Sequence, residues 1–190
     1  MPNLYIISGC NGAGKTTASF TVLPEMLNCR EFVNADEIAR GISPFKPESV
    51  AIQAGKIMLN RIEELLGHRK DFAIETTLTT RSYLNTITKA KSLGYQVTLL
   101  FFWLNDVSLA IQRVETRVLE GGHHIPEEVI RRRYIKGIQN IQKFALHADY
   151  WLVIDNSSSD LRFIADGNLD QKITIFENDI WSKLNQNSND

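Results

Sequence analysis

Eight residues near the start of the chain combine glycines, a lysine and a threonine at the spacing of a phosphate-binding loop. They read Gly9-Cys10-Asn11-Gly12-Ala13-Gly14-Lys15-Thr16. Glycines let the backbone approach a ligand closely and turn its N–H groups inward, and a helix that follows adds its positive end. We expect Lys15 to reach the β and γ phosphates of ATP and the Thr16 hydroxyl to bind Mg²⁺. The residues predicted to bind the nucleotide are Gly9, Asn11, Gly12, Ala13, Gly14, Lys15, Thr16 and Thr17.

Such a loop occurs in kinases, GTPases, motors and transport ATPases, so the rest of the chain must distinguish these classes. The sequence has no Asn-Lys-x-Asp segment for reading guanine and no Leu-Ser-Gly-Gly-Gln segment of transport ATPases. Its 190 residues leave little room for the further domains of a motor. These observations favour a kinase. The alternatives are a nucleotide-dependent binding or switch ATPase without a small-molecule acceptor, and a polynucleotide kinase.

Two carboxylates follow predicted strands and are candidates for catalysis. Asp36 comes just after the apolar pair 32–33, and it could accept the proton of a hydroxyl that attacks the γ phosphate. Its alternative role is the N-cap of a helix. Glu75 ends a third strand and could hold Mg²⁺ or orient the base, the alternative being a surface acid. Asp155 follows the last strong strand and is a competing metal partner, a turn residue or a neighbour of the adenine.

Arginines on two predicted helices could stabilise the charge that develops during phosphate transfer. Arg113 and Arg117 lie one turn apart on the first helix, and Arg131 follows on the second. Between the two helices, Gly121-Gly122 resembles a hinge that would let this segment close as a lid. Each arginine could instead lie on a solvated or acid-paired face. His123 and His124 lack the spacing of a zinc site and are better candidates for a hinge or a substrate contact.

Hydrophobic patterning predicts strands that alternate with helices. We expect strands at 4–8, 32–33, 71–75, 97–104, 151–154 and 172–175, and helices at 15–27, 48–66, 82–93, 106–120, 126–145 and 178–184. On the helix 48–66, the expected apolar side comprises Ile52, Ile57, Leu59, Ile62, Leu65 and Leu66. This alternation predicts an α/β protein with a mainly parallel sheet between two helical layers, whose ligands lie at the carboxyl ends of the strands.

Length and composition agree with one globular domain. We expect a single P-loop kinase domain over 1–184, a helical lid around 106–145 and a frayed polar tail at 185–190. The net charge of −1 provides no overall positive field for nucleic acid, which argues against a polynucleotide kinase. The first apolar stretch is too short for a signal peptide or a membrane span, and two cysteines suit a reducing compartment. We therefore expect a cytoplasmic protein that binds no membrane.

The sequence resembles the zeta-toxin-like branch of P-loop kinases, in its compact predicted-ATPase form, over roughly residues 3–156. The resemblance rests on the glycine loop, on Asn-Ala-Asp-Glu-Ile-Ala, on Glu-Thr-Thr-Leu, and on the series of arginines around Gly-Gly-His-x-Ile-Pro. These segments occupy 9–17, 34–39, 75–78 and 113–134. The Gly-Gly-His-x-Ile-Pro segment is far more specific than the loop itself.

The resemblance implies a role for each matching residue. It implies that Lys15 and Thr16 hold nucleotide and metal, that Asp36 is the base acting on a sugar-type hydroxyl, and that Glu75 supports both metal and base. It also implies phosphate-stabilising lid arginines, an acceptor of the UDP-N-acetylhexosamine type and a small helical antitoxin as partner. The sequence departs from those toxins by its shorter length and by His123, which replaces a second lid arginine. That role would pass to Arg117 or Arg131.

Overall fold

A seven-stranded sheet forms the middle layer of the computed structural model, which describes residues 1–170 and 172–188. The strands are β1 (Asn3–Gly9), β2 (Phe32–Val33), β3 (Phe72–Thr76), β4 (Gln96–Trp103), β5 (Tyr150–Asp155), β6 (Arg162–Asn168) and β7 (Ile173–Ile175). Their order in the sheet is β2-β3-β1-β4-β5-β6-β7. The first five are parallel, and β6 and β7 are antiparallel additions at one edge. The predicted mainly parallel α/β sheet is confirmed.

Helices cover both faces of this sheet. They are α1 (Lys15–Thr21), α2 (Ala35–Ile42), α3 (Ala51–Gly67), α4 (Ser82–Ser92), α5 (Val107–Leu119), α6 (Glu127–Ala145) and α7 (Asn178–Ser188). A π-helical turn over Val22–Met26 prolongs α1, and a 3₁₀ turn over Pro47–Val50 precedes α3. Among the described residues, no helix combines the length and apolarity that a membrane crossing requires.

The strand β4 shows why the central sequence is almost uninterruptedly apolar. Leu99 and Phe101 belong to the core cluster on one face of the sheet, whereas Leu100 and Phe102 belong to the cluster on the other. Strands covered by helices on both faces bury every side chain, so apolar residues do not alternate with polar ones. In β6, Ile164, Ala165, Asp166 and Gly167 are buried or half-buried, and the other residues of the strand are exposed. Because so few of its residues are buried, the hydrophobic pattern of the sequence did not predict this strand.

The buried side of α3 differs from the predicted one. Residues spaced by three or four face the sheet, beginning with Ala54 and Met58 and continuing through Ile62. Ile52 is 80% exposed, and Ile57 and Leu59 are also exposed, so their assignment to the apolar side was wrong. Bulky aliphatic residues alone suggested the wrong stripe, because a small alanine and a methionine occupy positions that the helical period selects.

The segment 106–145 was predicted as a lid, and most of it packs on the sheet. Ala110 and Val114 of α5 and Ile130 and Phe144 of α6 are buried in the two core clusters. The division into a domain and a lid stays a prediction. Since α5 and α6 contribute to the core, only the connection between them could move without breaking these contacts. At the other end, α7 continues to Ser188 where a frayed tail was expected from 185, and residues 189–190 lie outside the described part.

Two isoleucines on α3 provide a matched test of this packing. We expect Ile62→Ala to lower the free energy of unfolding by about 2–5 kcal/mol, because its side chain is 1% exposed and leaves a cavity. The exposed Ile52→Ala should change it by about 0.5 kcal/mol or less. Urea unfolding followed by circular dichroism measures both. Equal losses for the two variants would contradict the described orientation of the helix.

Candidate active site

The glycine loop follows β1 and ends where α1 begins, as the sequence predicted. Gly9 and Gly12 have φ angles of 138° and 77°, which glycine adopts far more readily than other residues. A Cβ atom would lie 2.2 Å from the Phe102 carbonyl oxygen at Gly9 and 2.5 Å from the Ala110 carbonyl oxygen at Gly12. Only glycine fits these positions. The loop therefore lies directly against β4 and α5, with the first turn of α1 behind it.

Glu75 is the point where the loop meets the neighbouring strands. Lys15 Nζ donates to the Cys10 carbonyl oxygen at 2.8 Å and lies 3.5 Å from Glu75 Oε1. Thr16 Oγ1 donates to Glu75 Oε2 at 2.7 Å, and Asn34 Nδ2 donates to the same oxygen at 2.9 Å. The Glu75 side chain is only 10% exposed. The alternative of a surface acid is thus wrong, because a buried carboxylate with these three partners forms the floor of the site.

The oxygen atoms at this floor fit Mg²⁺. The Thr16 hydroxyl and the Glu75 carboxylate are hard oxygen donors within hydrogen-bonding distance of each other. Mg²⁺ prefers such oxygens and commonly takes only one or two from the protein, with substrate phosphates and waters completing its shell. Among residues 1–170 and 172–188, no group of three or more histidine, cysteine, aspartate or glutamate side chains could hold a metal ion.

Asp36 lies in the first turn of α2, but it does not cap the helix. The cap is Asn34, whose Oδ1 accepts from the backbone N–H groups of Asp36 at 2.8 Å and Glu37 at 3.4 Å. The N-cap alternative for Asp36 is therefore wrong, and its exposed side chain remains available. It lines the cleft of about 840 Å³ beside the loop and two smaller cavities of about 230 and 190 Å³.

The three predicted catalytic arginines have different surroundings. Arg117 lines the large cleft, and its buried Nε and Nη2 atoms have no hydrogen-bond partner among the described residues. Arg113 lines the same cleft but donates to backbone carbonyls, most closely to that of Asn156 at 2.8 Å. Arg131 is exposed and paired with Glu127 at 2.7 Å, so the structure does not bring it to the cleft. The acid-paired alternative holds for Arg131.

Arg133 is the arginine of α6 that does reach the site. Its Nη1 donates to Asn11 Oδ1 of the loop at 2.9 Å, and the side chain lines both smaller cavities beside Asp36. Burial lowers the pKa of Arg133 from its usual value, while the Asp36 charge acts in the opposite direction. The sequence analysis missed Arg133, although this residue lies one helical turn after the buried Ile130 and could have been chosen over Arg131 for that reason.

His123 lies in the connection between α5 and α6 and lines the 190 Å³ cavity together with Asp36. Burial is the main cause that lowers the pKa of this imidazole, and the charges of Arg117 and Arg40 lower it further. The charges of Asp36 and Glu48 oppose this shift. A neutral imidazole therefore faces the candidate base, where the related toxins were expected to carry an arginine.

Asp155 does not line the cleft or meet Thr16. Its side chain is fully buried and accepts hydrogen bonds from the Ser157 backbone N–H at 2.9 Å, from the Ser157 hydroxyl and from Arg162. Of the alternatives for this residue, the structure supports formation of a turn and not a metal site.

Comparison with known protein families adds independent information. The family model for zeta toxin matches residues 1–167. An uncharacterized protein of Haemophilus influenzae is 31% identical over 127 residues, which are 66% of this chain and 88% of that protein.

Two solved structures share the fold. A chain of the AvrRxo1-ORF1:-ORF2 complex with ATP superimposes with a TM-score of 0.75 at 16% identity, covering 97% of the present chain and 63% of that one. The present chain thus spans less than two thirds of its length. A structure from the PezAT chromosomal toxin–antitoxin system of Streptococcus pneumoniae gives 0.66 at 17% identity, with coverages of 100% and 86%. Both superpositions confirm the three-layer P-loop fold.

The lowered pKa of His123 predicts how stability changes with pH. The unfolded chain takes up a proton near pH 6.5, whereas the folded chain does so only at lower pH, so acid favours unfolding through this residue. We expect His123→Gln to lose less stability than the unsubstituted protein between pH 7.5 and 5.5. Urea unfolding at each pH measures the difference, and NMR should find one imidazole titrating below pH 6.5 that the variant lacks. Identical pH slopes would contradict the lowered pKa of this half-buried imidazole.

Proposed function

Because the chain belongs to the zeta toxin family, we propose that it transfers the γ phosphate of ATP to a hydroxyl group of a small acceptor. Family and fold make it a nucleotide-dependent P-loop phosphotransferase. The observation that carries the finer proposal is that Asp36 lines the loop cleft and both smaller cavities at once. A carboxylate at such a junction can face the donor and the acceptor together.

In the proposed reaction, the loop residues bind the phosphates of ATP. The inward N–H groups of the loop and the Lys15 ammonium bind the phosphate chain, and Thr16 and Glu75 would hold Mg²⁺. The metal, when bound, neutralises charge on the β and γ phosphate oxygens. Arg117 lines the cleft, two of its buried guanidinium nitrogens have no hydrogen-bond partner in the described part of the chain, and it would stabilise the charge that develops on the transferred group.

Asp36 would act as the general base. It accepts the proton of the acceptor hydroxyl while that oxygen forms a bond to the γ phosphorus, and the bond from phosphorus to the bridging oxygen of ADP breaks. The backbone of Asp36 is fixed by the Asn34 cap, and Asn34 is itself bonded to Glu75. The base and the floor of the phosphate site are therefore held by one amide side chain.

We propose that the acceptor occupies the cavities beside Asp36. The 230 Å³ cavity offers hydroxyl groups suited to a sugar, including those of Thr77, Thr79 and Tyr83. The 190 Å³ cavity continues from Asp36 towards His123 and shares Arg133 with the first. A nucleotide sugar of the UDP-N-acetylhexosamine type, which the family resemblance suggests, would present a hydroxyl to one cavity and its remaining part to the other.

A protein partner completes the proposal. The similar structures are those of the AvrRxo1-ORF1:-ORF2 complex and of the PezAT toxin–antitoxin system. In the present chain, Phe20 lines the large cleft although 66% of its surface is exposed, and Met26 nearby in sequence is 74% exposed. A small antitoxin that covered Phe20 at the cleft would bury its side chain and block nucleotide entry.

Replacement of Asp36 tests its role as the base. We expect Asp36→Asn to lower the rate of acceptor phosphorylation by about 10²- to 10⁴-fold, because the amide cannot accept the proton. ATP affinity should be unchanged, since the loop contacts are intact. A screen of metabolite extracts for transfer from γ-labelled ATP identifies the acceptor, and the purified acceptor then gives the rate. Glu128→Gln, an exposed carboxylate of α6, is the matched control and should retain full activity.

Equal rates for Asp36→Asn and the unsubstituted protein would exclude this residue as the base. If no metabolite is phosphorylated while ATP binds tightly, a nucleotide-dependent binding protein would replace the kinase. In that case Lys15→Ala should abolish the capture of its partner. Transfer of label to the end of an oligonucleotide would instead establish a polynucleotide kinase.

A further inference from the structure

The turn after β5 contacts the phosphate loop at the wall of the large cleft, which Asn156 lines. Asn156 lies in this turn, and its backbone N–H donates to the Trp103 carbonyl oxygen at the end of β4 at 2.9 Å. The next residue, Ser157, is fixed by the buried Asp155 and accepts a hydrogen bond from the Asn105 backbone N–H at 2.8 Å. These bonds hold the turn rigidly to the ends of two central strands.

The side chain of Asn156 uses this fixed position to bind the loop. Its Nδ2 donates to the Ala13 carbonyl oxygen at 2.8 Å, across 143 residues of sequence. The same nitrogen would lie 2.3 Å from a Cβ atom at Gly14, the next residue of the loop. The carboxamide of Asn156 therefore fills the space that a side chain at position 14 would take.

Arg113 reinforces the same contact. Its Nη1 donates to the Asn156 carbonyl oxygen at 2.8 Å and lies 3.5 Å from the Gly12 carbonyl oxygen, and its Nη2 lies 3.4 Å from that of Ser157. The Arg113 guanidinium, which the sequence predicted to stabilise the transferring phosphate, is thus hydrogen-bonded to three backbone carbonyl groups. The loop and the turn after β5 are joined by one amide and one guanidinium.

We propose that Asn156 is a positioning residue that fixes the Ala13 carbonyl and so orients the loop N–H groups that bind the phosphates. A trans peptide unit has its C=O and N–H on opposite sides, so fixing the Ala13 oxygen on Asn156 also fixes the direction of the following N–H, that of Gly14. The inference rests on the proposed ATP binding but not on the acceptor or on Asp36. It makes the turn after β5 part of the phosphate-binding site.

The experiment compares nucleotide binding with binding of tripolyphosphate, which has no base or sugar. Asn156→Ala removes a hydrogen bond that orients the loop, so both ligands should bind roughly tenfold more weakly. Asn156→Asp keeps the volume of the side chain, and it should lose at least as much affinity because a carboxylate would face the Ala13 oxygen and the phosphates. Calorimetry measures ATP, and displacement of fluorescent ATP measures tripolyphosphate. Ser158→Ala in the same exposed turn is the control and should bind both normally.

The outcomes separate this role from two others. If Asn156→Ala weakens ATP but not tripolyphosphate, the residue contacts the base or the sugar and the inference is overturned. If affinities are unchanged in both Asn156 variants, the hydrogen bond does not orient the loop, which also overturns it. Either result leaves ATP binding by the unsubstituted protein intact, and with it the proposed kinase function. Thermal unfolding of each variant confirms that the protein is folded when binding is measured.

Discussion

The carboxylate of Glu75 joins segments of the chain that local contacts could not bring together. Its hydrogen-bond partners Thr16 and Asn34 lie 59 and 41 residues away in sequence. They meet because β1, β2 and β3 are parallel neighbours, whose carboxyl ends share one edge of the sheet. A buried carboxylate is costly unless it is paired, so the ends of these strands are fixed relative to one another. The remaining geometry of the site follows from that requirement.

Asn34 transmits this constraint to α2, the helix that carries Asp36. One end of its amide donates to Glu75, and the other accepts the first N–H groups of α2. The helix that carries Asp36 therefore begins at a point determined by the phosphate floor. On the opposite side of the loop, the turn that contains Asn156 is determined by the end of β4. The loop is thus bonded to two polar side chains at the ends of different strands, Glu75 and Asn156.

The sequence indicated the parts of the site that depend on the order of elements. A glycine loop after a buried strand, and acids at later strand ends, suffice to predict that Lys15 and Glu75 share one rim. Asn156 and Arg133 were not selected because their roles depend on contacts across more than 120 residues. Arg131 was selected although Arg133, one turn after the buried Ile130, is the arginine that reaches the site. Ile52 was placed on the buried side of α3 because the interpretation followed bulky aliphatic residues and not the helical period through Ala54 and Met58.

The burial of Lys15 has a consequence for the ions that the loop can hold. Only 5% of this lysine is exposed, and its ammonium is already dehydrated and compensated by Glu75 and the Cys10 carbonyl. The dehydration cost is therefore met when the chain folds and is not imposed again when a ligand arrives. A ligand must compete with an internal carboxylate for the same ammonium. Chloride or a metabolite carboxylate, with a single charge, has no electrostatic advantage in that exchange, whereas a polyphosphate has. The ion pair between Lys15 and Glu75 would therefore favour multiply charged anions over singly charged ones.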